Sequence, residues 1–250
     1  MPRHYLAALA ILVFTPAWAQ STEKLVMFEV ASVRRVEPDI RSMRNSLSGG
    51  RLTAENVTLR MLIENAFNLK PFQLTGGPKW LDSDRFTVIA QADPSATSDQ
   101  VKQMVQSLLK ERFHLAMHSE MKDQSLYVLQ VKDKEKVTLK LAPSKETGGR
   151  GLMIRSSGMA DPTLVYKFQK YSMGDLANQL SRETQRSVRD GTGLTGEFDF
   201  EITAIREPEE KNLFTASVAP LISDLGLKLD SQKGPVEIFT VDRAEQPTEN

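Results

Sequence analysis

The sequence predicts an α+β fold in two tandem related modules, each with two helices packed on a mostly antiparallel or mixed sheet. Three observations carry this. Met173, Leu176, Ala177 and Leu180 recur at i, i+3, i+4 and i+7, and Leu59, Leu62, Ile63 and Ala66 repeat that stripe 114 positions earlier. Phe198, Phe200, Ile202 and Ala204 alternate with polar residues after a glycine turn, and Phe86, Val88, Ala90 and Ala92 do the same 112 positions earlier. A second helix follows in each half: Val101, Met104, Val105 and Leu108 after Ser98, and Val218, Leu221, Ile222 and Leu225 after Ser217. A repeat this long means duplicated domains rather than a solenoid.

Residues 1–19 read as a secretory leader, with Arg3 as the charged start and an apolar run over 6–14. That run is shorter than the roughly 20 residues that span a bilayer. Ala17-Trp18-Ala19 is the small-x-small cleavage site, so the mature chain is expected to start at Gln20 without a transmembrane segment. Cysteine is absent, so no disulfide staples the fold and the cores must hold it alone. The 32 basic and 32 acidic residues balance. That neutrality argues against a general nucleic-acid or membrane-surface binder.

The first module is placed at 24–132. It opens on a strand at 28–33, followed by a polar loop at 41–51 that ends in Ser48-Gly49-Gly50. Thr58 caps the first helix, as Ser172 caps its counterpart with Asp175 three residues on. Gly76 and Gly77, with Pro78, make the turn before the alternating strand; Asp190, Gly191, Gly193 and Gly196 make its counterpart. Each second helix leads into a strand pair, HLAMHSEM with SLYVLQV and LKLDSQK with PVEIFTV. A linker at 133–149 carries the first strand of the second module, read at 137–141. The second module occupies 150–245, with a charged loop at 207–211, and 246–250 is a polar tail.

Three stretches, FEVASVR at 28–34, DGTGLTGEFDFEI at 190–202 with LGLKL at 225–229, and the closing VDRAEQPTEN, resemble an exported, soil-associated family abundant in acidobacteria and expanded into many paralogues. That family has no established biochemical function, so the resemblance implies no catalytic residue. The half-unit is also similar to the short N-terminal domain of secretins and TonB-dependent receptors, which implies a periplasmic, protein-contacting role.

Local motifs for chemistry have bland readings. Gly191-x-Gly193-x-x-Gly196 matches a dinucleotide fingerprint, but it is expected to follow a helix and open a strand, so no helix N-terminus meets a phosphate. His114 and His118 read as sharing one strand, about 13 Å apart and too far for one ion. Ser119-x-x-Lys122 falls on an expected hairpin turn, where a penicillin-binding serine would need a helix start. Asp82 with Asp84, and Asp199 with Glu201, read as carboxylates on solvated strand faces. Asn56-Val57-Thr58 serves as a helix approach before it serves as a glycosylation sequon. Trp80 reads as a lid on the core and, where exposed, as the first partner contact.

The expected function is therefore a non-catalytic binding protein of the cell envelope. Its partner would be another envelope protein or a peptide, met through unpaired sheet edges or the glycine loops. The alternative is a hydrolase with a carboxylate-lined site between the modules, built from Asp82, Asp84, Asp190 and Asp199. No residue set requires a metal or a cofactor.

Overall fold

The structure, a computed structural model, describes residues 27–38, 43–145, 147–156, 163–205 and 222–248. The leader, the 207–211 loop and most of the helix expected from Val218 lie outside those residues. The fold is α+β, with three four-stranded sheets.

The first outer sheet has the order β1 (Val30–Val36), β5 (Arg85–Gln91), β3 (Arg51–Val57), β2 (Arg44–Ser48), all antiparallel. The second has the order β7 (Ala142–Pro143), β11 (Phe198–Ile205), β9 (Thr163–Tyr171), β8 (Gly151–Ser156), also antiparallel. Between them lies a mixed sheet: β10 (Val188–Asp190), β6 (Ala116–Val131), β12 (Leu227–Arg243), β4 (Leu74–Gly76). Helices α1 (Leu59–Ala66) and α3 (Ser98–Phe113) belong with the first outer sheet, and α5 (Met173–Glu183) with the second.

Local signals explain the helices. Thr58 accepts from the Met61 N–H at 3.2 Å, and Ser172 and Asp175 close a capping box that starts α5. α1 buries Leu59, Leu62, Ile63 and Ala66; α5 buries Met173, Leu176, Ala177 and Leu180. Each stripe is one helix face, and the facing strands supply every second side chain: Phe86, Val88 and Ala90 from β5, Phe200 and Ile202 from β11. Phe86 meets Phe113 edge-on at 5.2 Å in the first core, and Phe168 stacks on Phe200 at 4.6 Å in the second.

The central sheet departs from the sequence expectation. The two anticipated strand pairs are two unbroken strands, and they pair with each other. Register runs from Leu227 against Val131 to Arg243 against Ala116. The stretch 118–123 of β6 is polar because it is exposed on both faces, not because it turns. Leu129 of β6 enters the second core, while Val241 of β12 enters the first. Each long strand thus ends in the opposite half's core.

Two smaller departures have plain causes. Arg44–Ser48 is a strand, not loop: Gly49 (φ 55°) and Gly50 (φ 75°) form the two-residue turn that folds it onto β3. Residues 137–141 are not a strand. Asp133 caps α4 (Lys134–Lys140), and Val137 and Leu141, four apart, are buried while Leu139 is 82% exposed. The first strand of this half follows at β7.

A bulge interrupts the pairing in each outer sheet, and beside each a non-glycine residue sits in the left-handed region: Asn56 (φ 56°) and Lys170 (φ 58°). They are 114 positions apart, the spacing of the two N-caps. The Asp199 carboxylate accepts from the Lys170 N–H at 2.8 Å, and this bond holds the Asp199 pKa below its ordinary value. Asp199→Ala is expected to cost about 1 kcal/mol in urea unfolding at neutral pH. The deficit shrinks as pH falls through the carboxylate range, because a lowered carboxylate pKa stabilises only while the group is ionised. Lys170→Gly, which relieves the left-handed backbone, is expected to stabilise by up to about 1 kcal/mol.

Candidate functional site

The glycine loops are structural in two different ways. Gly76 and Gly77 have φ of 73° and 83°, and a Cβ on either would press on β12 at Thr240 or Val241. Gly193 (φ 69°) and Gly196 (φ 101°) have the same left-handed backbone but open space around them. Gly191 has no positive φ; its Cβ would stand 2.5 Å from Val128 Cγ1, where β10 runs against β6. Asp190 accepts from the Thr192 N–H at 2.9 Å and from its hydroxyl at 2.7 Å, which fixes the loop's start. The loop follows the short strand β10, not a helix, and leads into β11. A dinucleotide phosphate therefore finds no helix N-terminus there.

Trp80 opens a one-turn helix, α2 (Trp80–Ser83), where a turn or strand start was expected. It is half-buried and meets Phe86 edge-on at 6.2 Å, covering the first core. His114 is not in a strand. It caps α3 in the left-handed region (φ 47°), and β6 starts only at Ala116. His114 Nδ1 lies 3.4 Å from Glu245 and His118 Nδ1 2.9 Å from Asp242, two separate exposed pairs. Ser119 and Lys122 lie mid-strand in β6.

The four carboxylates of the expected hydrolase site serve separate contacts. Asp82, on α2 rather than a strand, pairs with Arg60. Asp84 ends that helix, 3.1 Å from Arg35 and 2.6 Å from the Gln246 amide. Asp190 and Asp199 hold the loop and the bulge already described. Among the described residues no group of three or more His, Cys, Asp or Glu could hold a metal ion.

Unpaired sheet edges were expected from the sequence as contact surfaces, but the sequence placed neither of the following two surfaces. One is an edge of the second outer sheet. Among the described residues β8 pairs with β9 alone, and its Met153 and Ile154 are 48% and 39% exposed. The other is a cleft of about 340 Å³ between the halves. Glu64 and the Asn68–Lys70 turn line it from one side, Arg182 and Gln185 at the end of α5 from the other. The Lys70 ammonium donates to Asn178 Oδ1 at 3.2 Å, across the two halves. Burial lowers the Lys70 pKa, and the nearby Arg182 charge lowers it further. Burial raises the Glu64 pKa, against the pull of Arg60, whose Nη1 lies 3.9 Å from Glu64 Oε1.

Residues 60–244 match the family described as "Protein of unknown function (DUF3738)". The chain belongs to that family. No curated protein and no solved structure matches it. The DUF3738 match runs from α1 to just beyond β12, so it includes the long β6–β12 ribbon, both glycine loops and both walls of the cleft, and leaves β1 to β3 outside.

Three substitutions test this geometry through stability. Gly191→Ala is expected to cost about 1–3 kcal/mol through overpacking against β6. Gly193→Ala costs about 1 kcal/mol through backbone strain alone; urea denaturation of both distinguishes the two causes. Glu64→Gln is expected to unfold at higher temperature than the parent at neutral pH. A raised carboxyl pKa favours the folded chain only below that pKa, so the two melting curves converge in acid.

Proposed function

We propose that this DUF3738 protein is an exported, non-catalytic binding protein of the cell envelope that takes an extended peptide segment of an envelope protein onto a sheet edge. The observation that carries this is β8. It is an outer strand whose backbone groups on one side have no strand partner among the described residues. Natural edges are usually blunted by lysine, proline or a cover. Gly151–Ser156, GLMIRS, has no lysine or proline and one charge, at Arg155, and it exposes Met153 and Ile154 on its two opposite faces. A peptide strand would gain main-chain hydrogen bonds there and meet those apolar side chains.

Export is supported by the leader pattern of residues 1–19. The two halves are read as descendants of one doubled unit. Both outer sheets run edge strand to edge strand in matching order, and the N-caps and the left-handed residues keep the same spacing of 114. The likeness of the half-unit to the secretin and TonB-receptor module points the same way, toward protein contact. A hydrolase built on Asp82, Asp84, Asp190 and Asp199 has no support from their contacts, since each is spent on a different local partner.

N-terminal sequencing of the exported chain is expected to begin at Gln20. Linear peptides selected by display against the immobilised full chain are expected to slow amide exchange in Gly151–Ser156. Ile154→Lys should weaken them about tenfold, roughly 1.4 kcal/mol. Peptides that bind equally well to the variant and protect other segments count against the edge.

A further inference from the structure

The cleft between the halves carries a charge arrangement that folding alone does not explain. Lys70 and Arg182 converge on it from opposite halves, near enough for the Arg182 charge to act on the Lys70 ammonium. Among the described residues no carboxylate lies within 4 Å of either cation. The ends of α1 and α5 face the same space, and helix C-termini attract cations. Their last carbonyls are, however, already taken by their own chain. Leu69 N–H donates to Glu64 O at 2.8 Å, Thr184 Oγ1 to Leu180 O at 2.8 Å and Gln185 Nε2 to Arg182 O at 2.6 Å. Lys70 is thus half-buried with the Asn178 amide oxygen as its acceptor, Arg182 is exposed with Glu183 next to it in the chain, and the two cations repel each other.

We propose that this cleft binds a small polyhydroxylated acid, its oxyanion held between Lys70 and Arg182 and its hydroxyls met by Asn65, Asn68 and Gln185. An anion between the two cations removes their repulsion and replaces the water that Lys70 has lost. Glu64, the one carboxyl in the lining, has a cation of its own in Arg60, whose Nη1 lies 3.9 Å from Glu64 Oε1, and this offsets its opposition to an anionic guest. A volume of about 340 Å³ sits at the small end of the ligand-pocket range of roughly 300–1,000 Å³ and admits a single sugar ring. Lys102 lies at the rim and is already paired with Asp99 at 3.1 Å. This site is separate from the β8 edge, and either reading can fail alone.

The test is calorimetric titration of the full chain with D-glucuronate, D-glucose 6-phosphate, D-glucose and inorganic phosphate. Binding of at least one of the charged sugars and none of D-glucose is expected; which of the two binds tells carboxylate from phosphate. Arg182→Gln should weaken that binding about tenfold or more, and Lys70→Gln, which keeps a donor for Asn178, should do the same without changing the thermal melt. A second measurement needs no variant: acylation of the Lys70 amine, read by mass spectrometry, should be slowed by the charged sugar and untouched by D-glucose. Binding of D-glucose, binding unaffected by Arg182→Gln, inorganic phosphate binding as tightly as the charged sugars, or no protection of Lys70 would each overturn the proposal.

Discussion

The pairing of β6 with β12 is the constraint on which the rest of the molecule depends. Each strand leaves one half and ends in the core of the other, so neither core closes without a strand that begins elsewhere. At about 3.3 Å per residue the ribbon is roughly 50 Å long. Over 118–123 β6 is exposed on both faces, but across from it Val236 and Ile238 of β12 pack with Leu126 of β6 in a small buried cluster. The two ends fix the register as well. Leu129 and Leu227 are buried in the second core and Leu115 and Val241 in the first. A slip of one residue would turn each inserted side chain to the wrong face at both ends together.

The short strands lock the same arrangement. β4 runs parallel to β12 at Phe239–Val241 level, and β10 runs parallel to β6 near Tyr127. Each is followed by glycine-dependent backbone: Gly76 and Gly77 lie close on β12, and Gly191 lies close on β6. The glycines are thus the places where a connecting loop passes tight against the ribbon. The halves held in this way bring the end of α1 near the end of α5, and only then do Lys70 and Asn178 meet. The cleft is a product of the ribbon, not of either half.

This ordering explains what the sequence could and could not show. Helices α1, α3 and α5 and strands β5 and β11 were legible because each solves a local problem: one apolar face, a cap at its start, an alternation of two. The ribbon was not legible, since 118–123 and the stretch around Gly234 carry polar residues that look like turns when no partner strand is in view. α4 was misread because Val137, Leu139 and Leu141 fit alternation, and only burial shows that Val137 and Leu141 form the face while Leu139 stands outside. Gly49-Gly50 between a polar run and β3 was a hairpin signal, obscured by the weak alternation of RNSLS. The cleft residues gave no signal, because Glu64, Lys70 and Arg182 are ordinary polar positions until the halves meet.

The chain's formal charge is zero, yet its charges are not used alike. Several aspartates are consumed in shaping backbone. Asp133 caps a helix, Asp175 accepts from the Ser172 N–H to close a capping box, Asp190 fixes a loop, Asp199 holds a bulge and Asp93 accepts from Ser95. Such bonds need a short side chain next to the N–H it serves, which aspartate provides and lysine or arginine cannot. In the cleft Lys70 is spent on the Asn178 amide and Arg182 acts on its chain neighbour Glu183, and neither has a carboxylate within 4 Å among the described residues. Global neutrality therefore excludes a broad polyanion binder but leaves a local positive site between the halves, and recognition at such a site is set by a few desolvated groups rather than by the chain's sum.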